Sequence, residues 1–310
     1  MEITAAMVKQ LREMTGAGVM ACKKALVETD GDYDKAIEVL REKGEATAVK
    51  KAGRIAAEGV VRAEVRDDRL GVIVEVNSET DFVAKNEKFG AFVSDVVEQV
   101  FATNSATAEE LLAEQFVKDS SKTVKEELVS QISVIGENLS IRRFAKINSD
   151  GIVVPYIHGG GRIGVLVEAK ADVVNDDVKE ALKNIAMQIA ALNPKYTERS
   201  EVSEEFIAHE KEILMAQIKN DPKESQKPEK VIEGMIEGRI NKEMKEICLL
   251  DQVYVKAEDG KQTVAQYVAQ VAKATGSNLT IKGFVRYETG EGIEKKEENF
   301  AEEVAKQMGQ

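Results

Sequence analysis

The sequence predicts an α+β fold: an N-terminal three-helix bundle, two repeated core halves with antiparallel strands, an inserted antiparallel coiled-coil hairpin and a C-terminal helix. Three observations carry this. First, the β-branched run at residues 70–76 reads as a buried strand and is followed by Phe89, Phe92, Val93, Val96 and Val97 at helical spacing. Second, RLGVIVE at 69–75 recurs as RIGVLVE at 162–168, an offset of 93, and GENLSIRRF at 136–144 recurs as GSNLTIKGF at 276–284, an offset of 140. Each half therefore reads as a hairpin, helices and a last strand. The offsets differ by 47, so the second half must hold an insertion of about that length. Third, residues 194–246 supply it as two helix-period segments.

The first 54 residues read as a helical unit. Thr4 is placed to cap a helix with Met7, Val8, Leu11 and Met14 inward, stopped by Gly16 and Gly18. A second helix carries Val19, Met20, Cys22, Ala25 and Leu26 and ends at Asp30 and Gly31. Asp32 or its neighbour caps a third, with Ala36, Ile37, Val39 and Leu40 apolar and Gly44 closing it. Three short helices of this spacing resemble the ubiquitin-associated type of fold, either as a self-contained bundle or as a docking surface. Residues 55–147 form the first half and 148–290 the second. Asn77, Ser78 and Glu79 end the strand of the first half, and Phe82 then falls at the strand-to-helix turn. Phe82 has two readings: a hydrophobic staple folded onto the next helix, or an anchor presented to a partner.

In the insertion, Val202, Phe206, Ile213 and Ile218 mark one helix and Ile232, Ile236, Ile240 and Met244 the other. Pro222 and Pro228 in the link between them can continue neither. The narrow seam reads as a projecting coiled coil, either a solvated spacer or a partner-binding arm. Residues 291–310 are rich in charge, with Phe300, Val304 and Met308 as one thin helical stripe that packs on its own core or clamps a partner.

Composition narrows the function. No run approaches the ~18 apolar residues of a membrane span, and the N-terminus lacks the pattern of a signal peptide. Two distant cysteines, Cys22 and Cys248, form neither a disulfide framework nor a metal knuckle and fit a reducing cytosol. A net charge of −12 disfavours general nucleic-acid binding. The GxGxxG string at 159–164 precedes another strand rather than a helix, so it reads as a hairpin turn and not a dinucleotide loop. Of the two histidines, His209 lies in the arm and His158 beside this glycine hairpin, where it reads as a turn residue. No Walker loop, nucleophile elbow or HExxH is present. The expectation is a protein that does no covalent chemistry and needs no cofactor.

Five segments carry a resemblance: TDFVAKN at 80–86, TGAGVMACKKAL at 15–26, KKAGRIAAEG at 50–59, IGEN at 135–138 and GEGIE at 290–294. Together they closely resemble the bacterial elongation factor Ts family, in order along nearly the whole chain. Ala21 departs, standing where the family usually carries an acidic residue. The resemblance implies a cytoplasmic guanine nucleotide exchange factor for elongation factor Tu in translation elongation, without nucleic acid or membrane as direct partner. It implies that Thr80, Asp81, Phe82 and Val83 disturb the partner's magnesium site. It also implies partner contacts at Arg12, Met20, Lys23, Ile135, Gly136 and His158. From the residues alone, Met20 remains a core candidate, and Ile135 and Gly136 shape a helix end. The rival reading is a ribosome- or RNA-associated module using Lys50, Lys51 and Arg54; an enzyme built on the glycine loop is the other.

Overall fold

The computed structural model describes residues 3–294, so the stripe of Phe300, Val304 and Met308 lies outside the described residues. The chain opens with α1 (Ala5–Thr15), α2 (Val19–Glu28) and α3 (Tyr33–Lys51). Thr4 accepts from the Met7 N–H to start α1, and left-handed Gly16, φ 67°, ends it. Asp32 caps α3 by accepting from the Lys35 N–H. Val8, Leu11, Cys22, Ala25, Leu26 and Ala36 form the apolar centre of the three helices. Met14, expected inward, is instead exposed, and so are Val19 and Met20 of the second helix. One stripe per short helix fills so small a core, which leaves those three outside it.

The first half runs β1 (Glu58–Arg66), β2 (Leu70–Ser78), α4 (Asp81–Ala84), α5 (Glu87–Ala102), α6 (Ala108–Ala113), β3 (Gln115–Phe116), β4 (Asp119–Thr123), α7 (Val124–Ile135) and β5 (Ser140–Asn148). The second runs β6 (Ile152–His158), β7 (Ile163–Lys170), α8 (Asp176–Leu192), α9 (Glu204–Asn220), α10 (Glu229–Ile247), α11 (Val264–Thr275) and β8 (Thr280–Glu288). Each half has one three-stranded antiparallel sheet, ordered β1-β2-β5 and β6-β7-β8. The repeat extends to fine detail. β2 carries a register shift at Glu75/Val76 and β7 carries one at Glu168/Ala169. Thr123 and Thr263 each start a helix with a capping box, and left-handed Gly136 and Gly276 end those helices. The glycine string at 159–161 closes the β6–β7 hairpin, and Asp67 and Asp68, both at positive φ, close its counterpart.

β2 ends at Ser78, within the Asn77–Glu79 stretch expected to end it. Asn77 and Ser78 are buried there; their donor groups find partners, while Asn77 Oδ1 has none among the described residues. The Asn77 amide donates to the Glu58 carbonyl at 3.0 Å, and the Ser78 hydroxyl donates to the Thr80 carbonyl at 3.0 Å. One expectation about ends needs correction: Gly44 does not close α3, which continues to Lys51. Gly44 is buried facing Val129 and Ser133 of α7, and Ala48 packs against the first core. That tertiary contact outweighs the roughly 1 kcal/mol a mid-helix glycine costs.

Two cores lie between each sheet and its helices. Val72, Val74 and Val76 of β2 meet Phe89, Phe92, Val93, Val96 and Val97 of α5, all buried as their spacing predicts. Val165 and Val167 of β7 meet Leu182, Ile185 and Ile189 of α8. Between the sheets, Val61, Ala63 and Ile73 pack on Val153 and Leu166. Gly71 and Gly164, equivalent in the repeat, permit this approach. A Cβ on Gly164 would sit 2.4 Å from Val61 Cγ1, and one on Gly71 would sit 2.7 Å from Val153 Cγ1. Gly164→Ala is therefore expected to lower stability by about 1–3 kcal/mol, read as a drop in urea midpoint with unchanged m-value.

α9 and α10 pack together, with Val202, Ile218, Ile236, Ile240, Met244 and Cys248 buried between and beneath them. Ile213, expected in this seam, is 37 % exposed; Leu214 and Met215 take its place. Among the described residues no helix is long and apolar enough to cross a membrane.

Candidate partner-docking site

The segment TDFV lies between β2 and α5 as the single-turn helix α4. Thr80 is its N-cap, the hydroxyl accepting from the Val83 N–H at 3.3 Å. The Asn86 N–H returns to the Val83 carbonyl at 2.9 Å, and the Asn86 side chain starts α5. This brief turn points its residues in different directions. Val83 packs against the first core, whereas Phe82 is 82 % exposed. The staple reading of Phe82 thus fails: Val83 supplies the apolar contact, and the aromatic ring is held out in solvent. Asp81 is also exposed and pairs with Lys85 at 2.7 Å. The Lys85 hydrogen bond holds the Asp81 carboxyl below the usual carboxylate range.

The turn is fastened from 57 residues away in sequence. The Glu137 carboxylate accepts from the Glu79 and Thr80 N–H groups, both at 3.0 Å, and from the Thr80 hydroxyl at 2.6 Å. In return the Glu79 carboxylate accepts from the Asn138 N–H at 2.6 Å. IGEN and TDFVAKN, two separate segments of the sequence, are thereby one structural feature. Gly136, left-handed at φ 88°, turns the chain out of α7 so that Glu137 reaches back. Ile135 is partly buried against the first core. Glu137 was not among the residues that sequence reasoning singled out. Its signal was present only as the IGEN string, with nothing to indicate its distant partners.

The other predicted contacts are spread out. Arg12, Met20 and Lys23 are exposed on α1 and α2, which removes Met20 from the core. Ala21 is exposed beside them. His158 is exposed at the end of β6, its Nδ1 3.1 Å from the Tyr156 hydroxyl. β1 packs on both α4 and β6, so one strand bridges the TDFV turn and the strand that ends in His158. Of the basic residues in the rival reading, Lys51 donates to the Gly136 carbonyl and Arg54 pairs with Glu79 at 3.5 Å.

Comparison with known proteins decides the family. The elongation factor Ts family model matches residues 79–291. Elongation factor Ts of Clostridium botulinum strain Eklund 17B is 53% identical over 309 residues, covering 99% of each chain. That of Clostridioides difficile strain 630 is 53% identical over 307 residues, again covering 99% of each. The chain belongs to the elongation factor Ts family. The coarse function comes with the family: nucleotide exchange on elongation factor Tu in translation elongation. The elongation factor Ts match opens at Glu79, the residue that leads into the TDFV turn, and closes at Glu291 of GEGIE.

Proposed function

We propose that the α4 turn is the element that displaces GDP, and that Phe82 acts as a wedge between helices of the GTPase domain of elongation factor Tu. The observation that carries this reading is a large aromatic ring, 82 % exposed, on a turn whose backbone is tied down. In the partner, Mg²⁺ bridges the GDP phosphates and protein ligands and holds both. An exchange factor must bind the nucleotide-free partner better than the GDP-bound one, since only differential affinity shifts the equilibrium. GDP then weakens the factor's grip by the same ratio. Phe82 gains its burial only where the partner's helices have parted, so its free energy is differential by construction. Asp81 reaches polar groups near the ion by exchanging Lys85 for them, while Thr80 and Val83 frame the turn. The nucleotide-free complex persists until GTP binds, and neither protein undergoes covalent change.

The remaining contacts divide along the chain. Residues 1–54 are a ubiquitin-associated-like docking unit presenting Arg12, Met20 and Lys23. Residues 55–147 carry the wedge with Ile135 and Gly136, and residues 148–290 contribute His158. α9 and α10 form an antiparallel coiled-coil arm, as spacer or as partner-binding element. The working place is the cytoplasm, with neither nucleic acid nor membrane as direct partner. The RNA-binding alternative loses ground because Lys51 and Arg54 are engaged within the chain.

Stopped-flow loss of a fluorescent GDP analogue from purified elongation factor Tu tests the function. Addition of this chain is expected to accelerate release in proportion to complex formed; an unchanged rate refutes it. Lys23→Glu is expected to slow association severalfold in a salt-sensitive way while helical content stays unchanged, as for an interface charge. Loss of helicity in that variant would assign Lys23 to the bundle's own stability instead.

A further inference from the structure

We infer that Glu137 is a positioning residue for nucleotide exchange: its carboxylate sets the angle at which the α4 turn presents Phe82. The inference rests on the wedge reading above and deepens it. α4 is four residues long and has no fully buried side chain; Val83, partly buried, is its apolar contact with the core, and a single turn lacks the hydrogen-bond ladder that orients longer helices. Its direction is inherited from the residues just before it. There the pairing of β2 with β1 ends at Ser78–Glu58, leaving the Glu79 and Thr80 N–H groups beyond the sheet. Glu137 takes both, and takes the Thr80 hydroxyl as well. The same hydroxyl oxygen accepts the Val83 N–H, so one chain of bonds runs from Glu137 through Thr80 into the turn that bears Phe82.

The repeat provides an internal control. Position 137 corresponds to Ser277, and Glu79 and Thr80 correspond to Asp172 and Val173. There Asp172 accepts from the Asn278 N–H at 2.6 Å, and the Ser277 hydroxyl accepts from the Val173 N–H at 3.2 Å. A neutral, short side chain therefore suffices to latch this corner of the fold. The half that carries Phe82 uses a carboxylate instead, which accepts from two N–H groups and one hydroxyl, where the Ser277 hydroxyl accepts from one N–H and lies within donating distance of Asp172 and the Val173 carbonyl. The carboxylate lies in the half whose turn bears the exposed Phe82.

The test is a double-mutant cycle on the full chain, reading stimulated GDP-analogue release from elongation factor Tu alongside the urea midpoint. Glu137→Ala is expected to lower the stimulated rate about tenfold, the order set by losing charge-assisted hydrogen bonds. In a Phe82→Ala background the same change is expected to lower it less than twofold, because the residue acts through the ring. Glu137→Gln keeps the shape and one acceptor, so it is expected to hold the wild-type urea midpoint with an intermediate rate. Should Glu137→Ala fail to fold, the Gln variant carries the cycle. Wild-type rates in both variants, or an equal loss with and without Phe82, would overturn the inference while leaving the wedge intact. If Phe82→Ala itself exchanges normally, the wedge reading fails and the inference with it.

Discussion

Phe82→Ala is expected to reduce stimulated GDP release by roughly tenfold to a hundredfold, since burying one phenylalanine is worth about 1.5–3 kcal/mol and each ~1.4 kcal/mol is a factor of ten. The same substitution is expected to leave the chain's own stability nearly unchanged. The ring is 82 % exposed, and the apolar contact of the turn with the core is made by Val83. Surface changes away from caps, cores and buried charges typically stay within about 0.5 kcal/mol. The contrast between a large functional loss and an unchanged urea midpoint is what separates a presented anchor from a structural aromatic. Stopped-flow release and equilibrium unfolding on the same preparation check both halves. A fall in midpoint together with exchange would place the ring in the fold's own stability.

Removing Glu75 is expected to have the largest effect on the fold. This carboxylate is fully buried in β2. It accepts from Arg142 Nη1 at 2.9 Å, Arg143 Nε at 2.5 Å, the Asn77 amide at 3.1 Å and the Gly290 N–H at 2.8 Å. The group joins β2, β5 and the segment after β8, tying the first half to the end of the second. Gly290 is required there: its φ is 71°, and a Cβ would lie 2.0 Å from the Ala57 carbonyl oxygen. GEGIE is in this respect a clasp between halves, with Glu291 paired to Arg143 at 3.1 Å. Glu75→Ala strands the Gly290 N–H and leaves two guanidinium groups without their shared partner, at a cost of about 3–5 kcal/mol. Urea unfolding measures it.

Acid exposes the same group. Burial pushes the Glu75 carboxyl up, but the Gly290 N–H, Arg142 and Arg143 outweigh burial, and the net direction is below the ordinary value of 4.5. A carboxylate depressed in the folded state adds stability that is fully present above its unfolded value and is lost as pH falls through its folded value. The contribution is therefore flat near neutrality, starts to fall only below about pH 4.5 and is lost as pH drops through the lower folded value. In Glu75→Gln, the part of the acid-dependent fall that this group causes is expected to vanish.

Much of this architecture was legible in local pattern. Thr4 and Asp32 cap as their types dictate, the α5 stripe is buried throughout, and the repeat predicts both sheets and the insertion. Local pattern fails where a distant partner decides. Gly44 reads as a helix stop until α7 is there to pack on it. Glu75, a charge inside the apolar run of β2, is held by two arginines 67 and 68 residues away. For the site, the aromatic at a turn was visible in sequence, but its exposure was not, because a staple and a presented anchor share one spacing. Glu137 was invisible for the same reason as Glu75: its partners are far along the chain.

A structure of this chain bound to nucleotide-free elongation factor Tu tests the central claim most directly. The Phe82 ring is expected to lie enclosed between helices of the GTPase domain, next to the vacated magnesium and GDP positions. A ring that remains solvent-exposed in that complex, or rests on a surface remote from those positions, contradicts it.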